Sequence, residues 1–332
     1  MKVAVVGVVG RTNAGKSTLV NALVGEKVSI VSPVEQTTRN TIRGIVSDPR
    51  GQLVLLDTPG LHKAVGTLGR LLNRMARRSA AGTDVTCVVF DASQPPQLED
   101  IGWMQRVARE AGEGEGKGKG VGVGGQRKVL FVLNKADKSP FFESDYHAAW
   151  EEARRGQEAA APVEVDATTG DAASSPLLDP VWVKAISVDE GGARPVLDAL
   201  FDFAEEGEAL FDDDIVTDYP RKLTIADVIR EKYLGKLFQE VPHELGILVK
   251  RINEKTDKWV VDVDALVNRE SQKPMAIGRG ASTVKGVRKA AEKELREIFG
   301  LKVELSINVR VERNWMKNER LLAEMGYMGE LV

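Results

Sequence analysis

A lysine and a serine that follow directly on a glycine, with a second glycine a short loop earlier, can hold the phosphates of a nucleotide. Gly10-Arg11-Thr12-Asn13-Ala14-Gly15-Lys16-Ser17 has this spacing, G-x-x-x-x-G-K-[ST]. Glycines let the backbone wrap phosphate oxygens so that successive N–H groups point inward as an anion nest. Asn13, Ala14, Gly15, Lys16, Ser17 and Thr18 are therefore candidate nucleotide-binding residues. Lys16 supplies a mobile charge for the β- and γ-phosphates, the Ser17 hydroxyl can ligate Mg²⁺, and the helix that follows adds its positive N-terminal end.

Two further clusters fit the same ligand. Asp57-Thr58-Pro59-Gly60 closes the apolar run Leu53–Leu56. A carboxylate at the end of a buried strand can anchor a nucleotide-bound Mg²⁺, and the unobstructed N–H of Gly60 can reach a γ-phosphate. Asn134-Lys135-Ala136-Asp137 follows the apolar run 129–133. The Asp137 carboxylate can accept two hydrogen bonds from the N1–H and N2–H₂ edge of guanine, where adenine offers no matching donors. Asn134 can tie the base to the phosphate loop, and the Lys135 stem can lie over the purine ring. Ser187-Val188-Asp189, after a further strand, can bring backbone to the guanine carbonyl. Lys16 and Gly60 are candidate catalytic residues.

Positioning these clusters takes strands that end in them. Residues 3–9, 41–47, 52–57, 85–91, 129–133 and 181–186 read as strands, and 17–24 as a helix with Leu19, Val20 and Leu23 on one face. Asp48-Pro49-Arg50-Gly51 is the turn of a hairpin. This predicts an α/β P-loop domain over 1–215, with a mostly parallel sheet and helices on both faces. Ser32–Asn40 is polar, has little to bury, and suits a segment that orders around a ligand. Two stretches read as insertions. Residues 112–125 are glycine-rich and of low complexity, and 139–180 mix Ala, Ser, Pro and acids in a loose excursion.

Residues 216–332 change character. A helix within 223–240, strands at 245–252 and 258–267, a helix ending at Phe299 and a strand at 301–311 give the order α-β-β-α-β. Gly278-Arg279-Gly280-Ala281 opens the second long helix, and Arg279, Lys285, Arg288 and Lys289 are candidate phosphate contacts. The formal net charge is −3, yet residues 217–332 carry 22 Lys and Arg against 18 Asp and Glu. A mildly basic half joined to an acidic one points to nucleic acid on the second.

At 332 residues the chain has room for two domains of roughly 100–200 residues each. Charged residues at 29% and apolar residues at 42% are ordinary for a soluble protein. Cys87, the single cysteine, lies in an apolar run and excludes an internal disulfide. No apolar run approaches the roughly 20 residues of a membrane span. A targeting extension is expected to be absent from this sequence or cut off. His62, His147 and His243 have no metal-ligand spacing.

The order GRTNAGKS, QTTRN, DTPGLHK, NKAD resembles the Era family of translation-factor-class GTPases. In the second half the resemblance rests on IREK at 229–232, the Ile277-Gly278 opening of the loop, and W-x₃-ER-x₃-EMGY at 315–327. It implies a G domain followed by an α+β type II KH domain, whose glycine loop holds single-stranded RNA. Gly278, Arg279 and Gly280 would then contact RNA, with Ala281 standing where the family has a fourth glycine and Thr12 where it has proline. It also implies GTP and GDP as ligands, Mg²⁺ held by Ser17, Asp57 and Thr38, and K⁺ near Asn13. Leu61 replaces the glutamine of Ras-like relatives, so hydrolysis is expected to be slow and helped by K⁺ or a partner. Thr37 and Thr38 match the first switch, and the resemblance makes Thr38 the Mg²⁺-facing hydroxyl and a candidate catalytic residue beside Lys16 and Gly60. The implied function is a GTP-hydrolysing switch that binds small-subunit ribosomal RNA and acts in small-subunit assembly. The implied protein is a monomer with no DNA partner and with peripheral membrane contact open. It would be cytoplasmic in a bacterium, or sit in a chloroplast or mitochondrion if its transit segment is missing. Alternatives are another ribosome- or tRNA-associated GTPase, a chiefly structural RNA-binding protein with weak GTPase activity, and a P-loop kinase, which NKAD disfavours.

Overall fold

Short, mostly apolar runs build the first sheet: β1 (Lys2–Val9), β2 (Ile42–Asp48), β3 (Gly51–Asp57), β4 (Val85–Asp91), β5 (Lys128–Asn134) and β6 (Val181–Ala185), with a two-residue, acidic β7 (Glu205–Glu206) added. The computed structural model describes residues 1–32, 38–60, 68, 70–73, 75, 82–112, 128–158, 179–237 and 241–327. The chain divides into two units. The first comprises Met1–Ser29, Thr41–His62 and Asn73–Thr217; the second comprises Ile30–Asn40, Lys63–Leu72 and Asp218–Val332.

In the first unit the strand order is β2-β3-β1-β4-β5-β6, parallel except for β2 against β3 and the short β7 against β1. A parallel sheet needs cover on both faces, and β4 shows it. Val85, Cys87 and Val89 enter one apolar cluster, and Val88 and Phe90 enter another. Helices α1 (Lys16–Val24) and α4 (Arg194–Phe203) cover the first face through Leu19, Leu23, Val196 and Leu200. Helices α2 (Leu98–Gly112) and α3 (Glu143–Glu158) cover the second through Trp103, Met104, Tyr146 and Trp150. Burial pushes the Cys87 thiol up to about 12, so it packs as a small apolar group.

The expectation of a loose excursion over 139–180 is corrected by α3. Tyr146, Trp150 and Ala153 recur at helical spacing and are buried, while the composition around them is polar enough to mask the stripe. Gly112 closes α2; the rest of 112–125, like 159–178, lies outside the described residues. So do Thr37, Leu61 and His62.

The second unit contains α5 (Arg221–Leu234), α6 (Val241–Glu244), β8 (Gly246–Glu254), β9 (Lys258–Val267), α7 (Lys273–Ile277), α8 (Ser282–Phe299), β10 (Lys302–Val311) and α9 (Glu319–Glu324). Its sheet runs β10-β9-β8, with β9 parallel to β10 and antiparallel to β8. Along β9 the residues Val261, Val263 and Ala265 pack with Ile225 and Ile229 of α5 and Val287, Ala291 and Leu295 of α8. The alternate residues Asp262 and Asp264 instead pair with Arg251, Lys250 and Arg310. Period two on the strand and a stripe on each helix thus give the α-β-β-α-β arrangement.

Asp227 of α5 is fully buried, and burial pushes its carboxyl up to about 6, against the opposing pull of the Tyr219 hydroxyl and of Arg230 and Arg39. A carboxyl that holds its proton more tightly folded than unfolded contributes stability fully below its unfolded pKa of 3.8. That contribution is lost as pH rises through about 6. The second unit is therefore expected to gain up to about 3 kcal/mol between pH 7 and pH 4 from this group. Urea unfolding of the wild type against Asp227→Asn at the two pH values checks it, because the variant should lack the gain.

Candidate functional site

All the chemistry-bearing clusters of the first unit lie at the carboxyl ends of its parallel strands. The phosphate loop follows β1, Asp57 ends β3, Asp91 ends β4, Asn134 ends β5 and Ser187 follows β6. This is where open α/β sheets bind ligands, and β1 sits between β3 and β4, where the strand order switches direction.

The loop is built without slack. Gly15 has φ 95°, and a Cβ there would meet Asn134 Nδ2 at 2.2 Å. A Cβ on Gly60 would meet the Thr12 backbone at 2.8 Å and Lys16 Nζ at 2.9 Å. These two glycines let three separate stretches close on one cradle. Lys16 Nζ donates to the Arg11 carbonyl at 2.7 Å. Its ammonium is buried, which pushes its pKa down to about 8 despite the attraction of Asp57. Such a charge is costly until a phosphate arrives to pair with it.

Asp57 is the complement. Its carboxylate is fully buried, and burial raises its pKa. The Ser17 and Ser29 hydroxyls and the Lys16 ammonium favour the charged form, but among the described residues neither oxygen has a hydrogen bond of good geometry. A buried carboxylate with unsaturated oxygens next to the Ser17 hydroxyl suits a hard, oxygen-seeking divalent cation. Thr58 Oγ1 donates to the Val8 carbonyl at 2.8 Å and fixes the Asp57–Gly60 turn against β1.

Asn134 joins the two halves of the site. Its Nδ2 donates to the Ala14 carbonyl at 2.9 Å, and its Oδ1 accepts from Ser187 Oγ at 2.7 Å. The Asn134–Asp137 stretch, the Gly10–Ser17 loop and the turn after β6 are thereby held by one buried amide. Lys135 Nζ donates to the Asn13 carbonyl at 3.1 Å and pairs with Asp91 at 2.7 Å. Asp137 is surface-exposed beside Lys138, which holds its carboxyl below the usual range. The Val188 side chain is 74% exposed.

Four residues that the sequence reading passed over support the loop. Arg11 Nε pairs with Asp100 at 3.1 Å, and its Nη2 lies 3.4 Å from Asp91. The Tyr146 hydroxyl donates to the Asp91 carbonyl at 3.0 Å and lies 3.3 Å from Asp100 Oδ2. Burial alone would push the Asp91 carboxyl up, yet the Lys135 and Ser93 donors hold it low. Asp91 is thus a charged hub between Arg11 of the glycine loop and Lys135. Its signal was a strand closing on Asp, VTCVVFD, with no glycine motif to flag it.

Thr38 is buried and belongs to the second unit, together with Arg39 and Asn40. In the second unit the glycine loop forms a short turn, Arg279–Ala281, ahead of α8. Gly278 has φ 77°, Gly280 φ 59° and Ala281 φ 63°. Arg279, Lys285, Arg288 and Lys289 are exposed there, with Lys285 Nζ donating to the Gly280 carbonyl at 3.3 Å. Ala281 is the N-cap of α8 and makes no side-chain capping bond. An alanine in the left-handed region costs about 1 kcal/mol, so Ala281→Gly is expected to stabilise the protein by about 0.5–1 kcal/mol in chemical denaturation. Ala281→Asn, which tolerates this region and can cap, should do at least as well.

Comparisons with known proteins agree with this geometry. A family model described as a 50S ribosome-binding GTPase matches residues 5–135, and a KH-domain model matches residues 240–316. GTPase Era of Caldanaerobacter subterraneus subsp. tengcongensis is 34% identical over 325 residues, covering 97% of this chain and 96% of its own. GTPase Era of Treponema denticola is 33% identical over 98% of this chain and all of its own. Two solved structures superpose with a TM-score of 0.80 at 27% identity, covering 98% of this chain and 99% of theirs. One is an Aquifex aeolicus Era variant bound to GDP·AlF₄⁻, and the other is Era in complex with MgGDPNP and nucleotides 1506–1542 of 16S ribosomal RNA. With a guanine-nucleotide site on a doubly wound sheet, a KH domain later in the sequence and relatives that match from end to end, the chain belongs to the Era family of GTPases.

Proposed function

We propose that the first unit drives a switch by hydrolysing GTP and that the second grips small-subunit ribosomal RNA during assembly of that subunit. The observation that carries this reading is the Asn134 amide, which makes one site of a phosphate half and a base half. Asp137 reads the guanine edge, and the Lys135 stem lies over the ring. Lys16 neutralises phosphate charge, and the Gly60 N–H meets the γ-phosphate. Ser17, Asp57 and Thr38 would hold Mg²⁺; the unsaturated Asp57 carboxylate supports this. When bound, that ion supplies charge neutralisation at the β- and γ-oxygens. Asn13 is proposed to favour a bound K⁺. Leu61 cannot orient water as a glutamine does, so hydrolysis is slow and is helped by K⁺ or a partner. Gly278, Arg279, Gly280, Lys285, Arg288 and Lys289 face the RNA backbone. The protein works as a monomer in whichever compartment holds its ribosomes: bacterial cytoplasm, chloroplast or mitochondrion.

The test is the affinity for an RNA of the sequence 1506–1542 of 16S ribosomal RNA, measured with a GTP analogue, with GDP and without nucleotide. The expected result is tighter binding, by about 10-fold or more, with the GTP analogue. Equal affinity in all three states overturns the switch. Hydrolysis of GTP in preference to ATP, lost in Lys16→Ala, is expected alongside.

A further inference from the structure

The closing pattern from Trp315 to Tyr327 takes no part in nucleotide chemistry, and Arg39 has had no role in the polar segment 32–40. The second unit brings them together. Arg39 is 0% exposed. Its Nη1 donates to the Leu245 carbonyl at 2.8 Å and its Nη2 to the His243 carbonyl at 2.9 Å. The guanidinium carbon stands 5.7 Å from the Trp315 ring centre and 6.0 Å from that of Tyr327, within the range of cation–π attraction. Trp315 is pinned in turn by donating its Nε1–H to the Glu244 carbonyl at 2.9 Å. The turn 243–245 therefore supplies three carbonyls, two to the guanidinium and one to a ring beside it. A forked donor next to flat aromatic faces satisfies this arrangement, and a compact ammonium does not. Asn40 adds an anchor: its Nδ2 donates to the Tyr219 hydroxyl at 2.9 Å, which donates to Asp227 at 2.8 Å.

We propose that the His243 and Leu245 carbonyls with the Trp315 and Tyr327 rings form a guanidinium-binding site whose ligand is Arg39, and that GTP empties it. The site stands on the contacts above. Its coupling to GTP rests on the role proposed for Thr38 at the nucleotide. Consecutive Cα atoms are about 3.8 Å apart, and Asn40 is tied down on the other side of Arg39. Drawing Thr38 to a triphosphate therefore pulls on the arginine stem with little slack. The seat is built to release as well as to hold: among the described residues Arg39 Nε is buried without a hydrogen-bond partner, a cost that water removes once the side chain leaves.

Full-length Arg39→Ala, nucleotide-free, tests the site by chemical rescue. Thermal unfolding is followed in about 20 mM ethylguanidinium chloride and in the same concentration of KCl. The variant is expected to melt below the wild type, and ethylguanidinium to recover at least half of the loss where KCl recovers none. If the variant folds poorly, its refolding yield with each salt gives the same readout. Absence of selective recovery overturns the guanidinium site. The GTP arm follows hydrogen exchange at the Tyr327 amide, which donates to the Leu322 carbonyl at 2.8 Å. In the wild type a GTP analogue with Mg²⁺ is expected to speed this exchange about 10-fold, and in Arg39→Ala to leave it unchanged. Equal exchange with and without the analogue in the wild type overturns the coupling. An RNA affinity indifferent to nucleotide, with rescue and exchange as expected, overturns the switch reading and leaves this site standing.

Discussion

Asp137→Asn is expected to bind GTP about 100-fold more weakly than the wild type and to gain affinity for xanthine nucleotides. The carboxylate offers two acceptors to two guanine donors. An asparagine keeps one acceptor, which still takes the N1–H, and turns an N–H₂ toward the guanine amino group, so a donor–donor contact replaces the other, charge-assisted hydrogen bond. Loss of charge-assisted bonds with an unpaired donor left behind costs on the order of 3 kcal/mol, hence the factor of about 100. Xanthine carries a carbonyl where guanine carries the amino group, and that carbonyl accepts from the asparagine. The present partner of Asp137 does not hold it back: the ion pair to Lys138 is 2.9 Å long but exposed, and such pairs contribute little. Competition of GTP and XTP for a fluorescent nucleotide measures both effects. A GTP affinity within twofold of wild type would remove Asp137 from base recognition.

Lys16→Met separates function from stability. Hydrolysis of GTP is expected to fall about 10³-fold, because the variant removes a preorganised charge from the transferring phosphate. The nucleotide-free protein should nonetheless become more stable. The lysine is fully buried and its pKa is pushed down from 10.5 to about 8, so keeping it charged at pH 7 costs roughly 3 kcal/mol. Loss of its bond to the Arg11 carbonyl returns about 1 kcal/mol of that. A net gain of about 2 kcal/mol in urea unfolding, paired with the loss of hydrolysis, is the expected signature. A destabilised variant that still hydrolyses GTP would contradict both the burial argument and the catalytic role.

The nucleotide site was legible because its chemistry is written in short spacings. GRTNAGKS, DTPG and NKAD each place their key atoms within a few residues, and the strands before them fix where those atoms point. The supporting network was not legible for the converse reason. Arg11 meets Asp100 across 89 residues, and neither residue stands in a pattern that names the other. The α3 helix was hidden by composition, since its three inward residues are outnumbered by charged and small ones. Arg39 sat in plain view in QTTRN, yet what it touches lies more than 200 residues away. Ala281 shows the reverse case: the sequence flagged the missing glycine, and the backbone takes the left-handed turn there regardless.

The Arg39 seat also sets an order of events during synthesis. The guanidinium leaves the ribosome 206 residues before the Leu245 carbonyl that receives it. At roughly 5–20 residues per second that interval is about 10–40 s. Trp315 and Tyr327 emerge later still. Throughout that time the arginine remains hydrated, and the first unit can complete its sheet from residues already made. A nascent chain halted near residue 217 therefore carries the strands of the first unit with the charge of Arg39 unclaimed, and that charge is put away only once residues 243–327 have been made. Burial of one side chain thus records that synthesis has passed Tyr327.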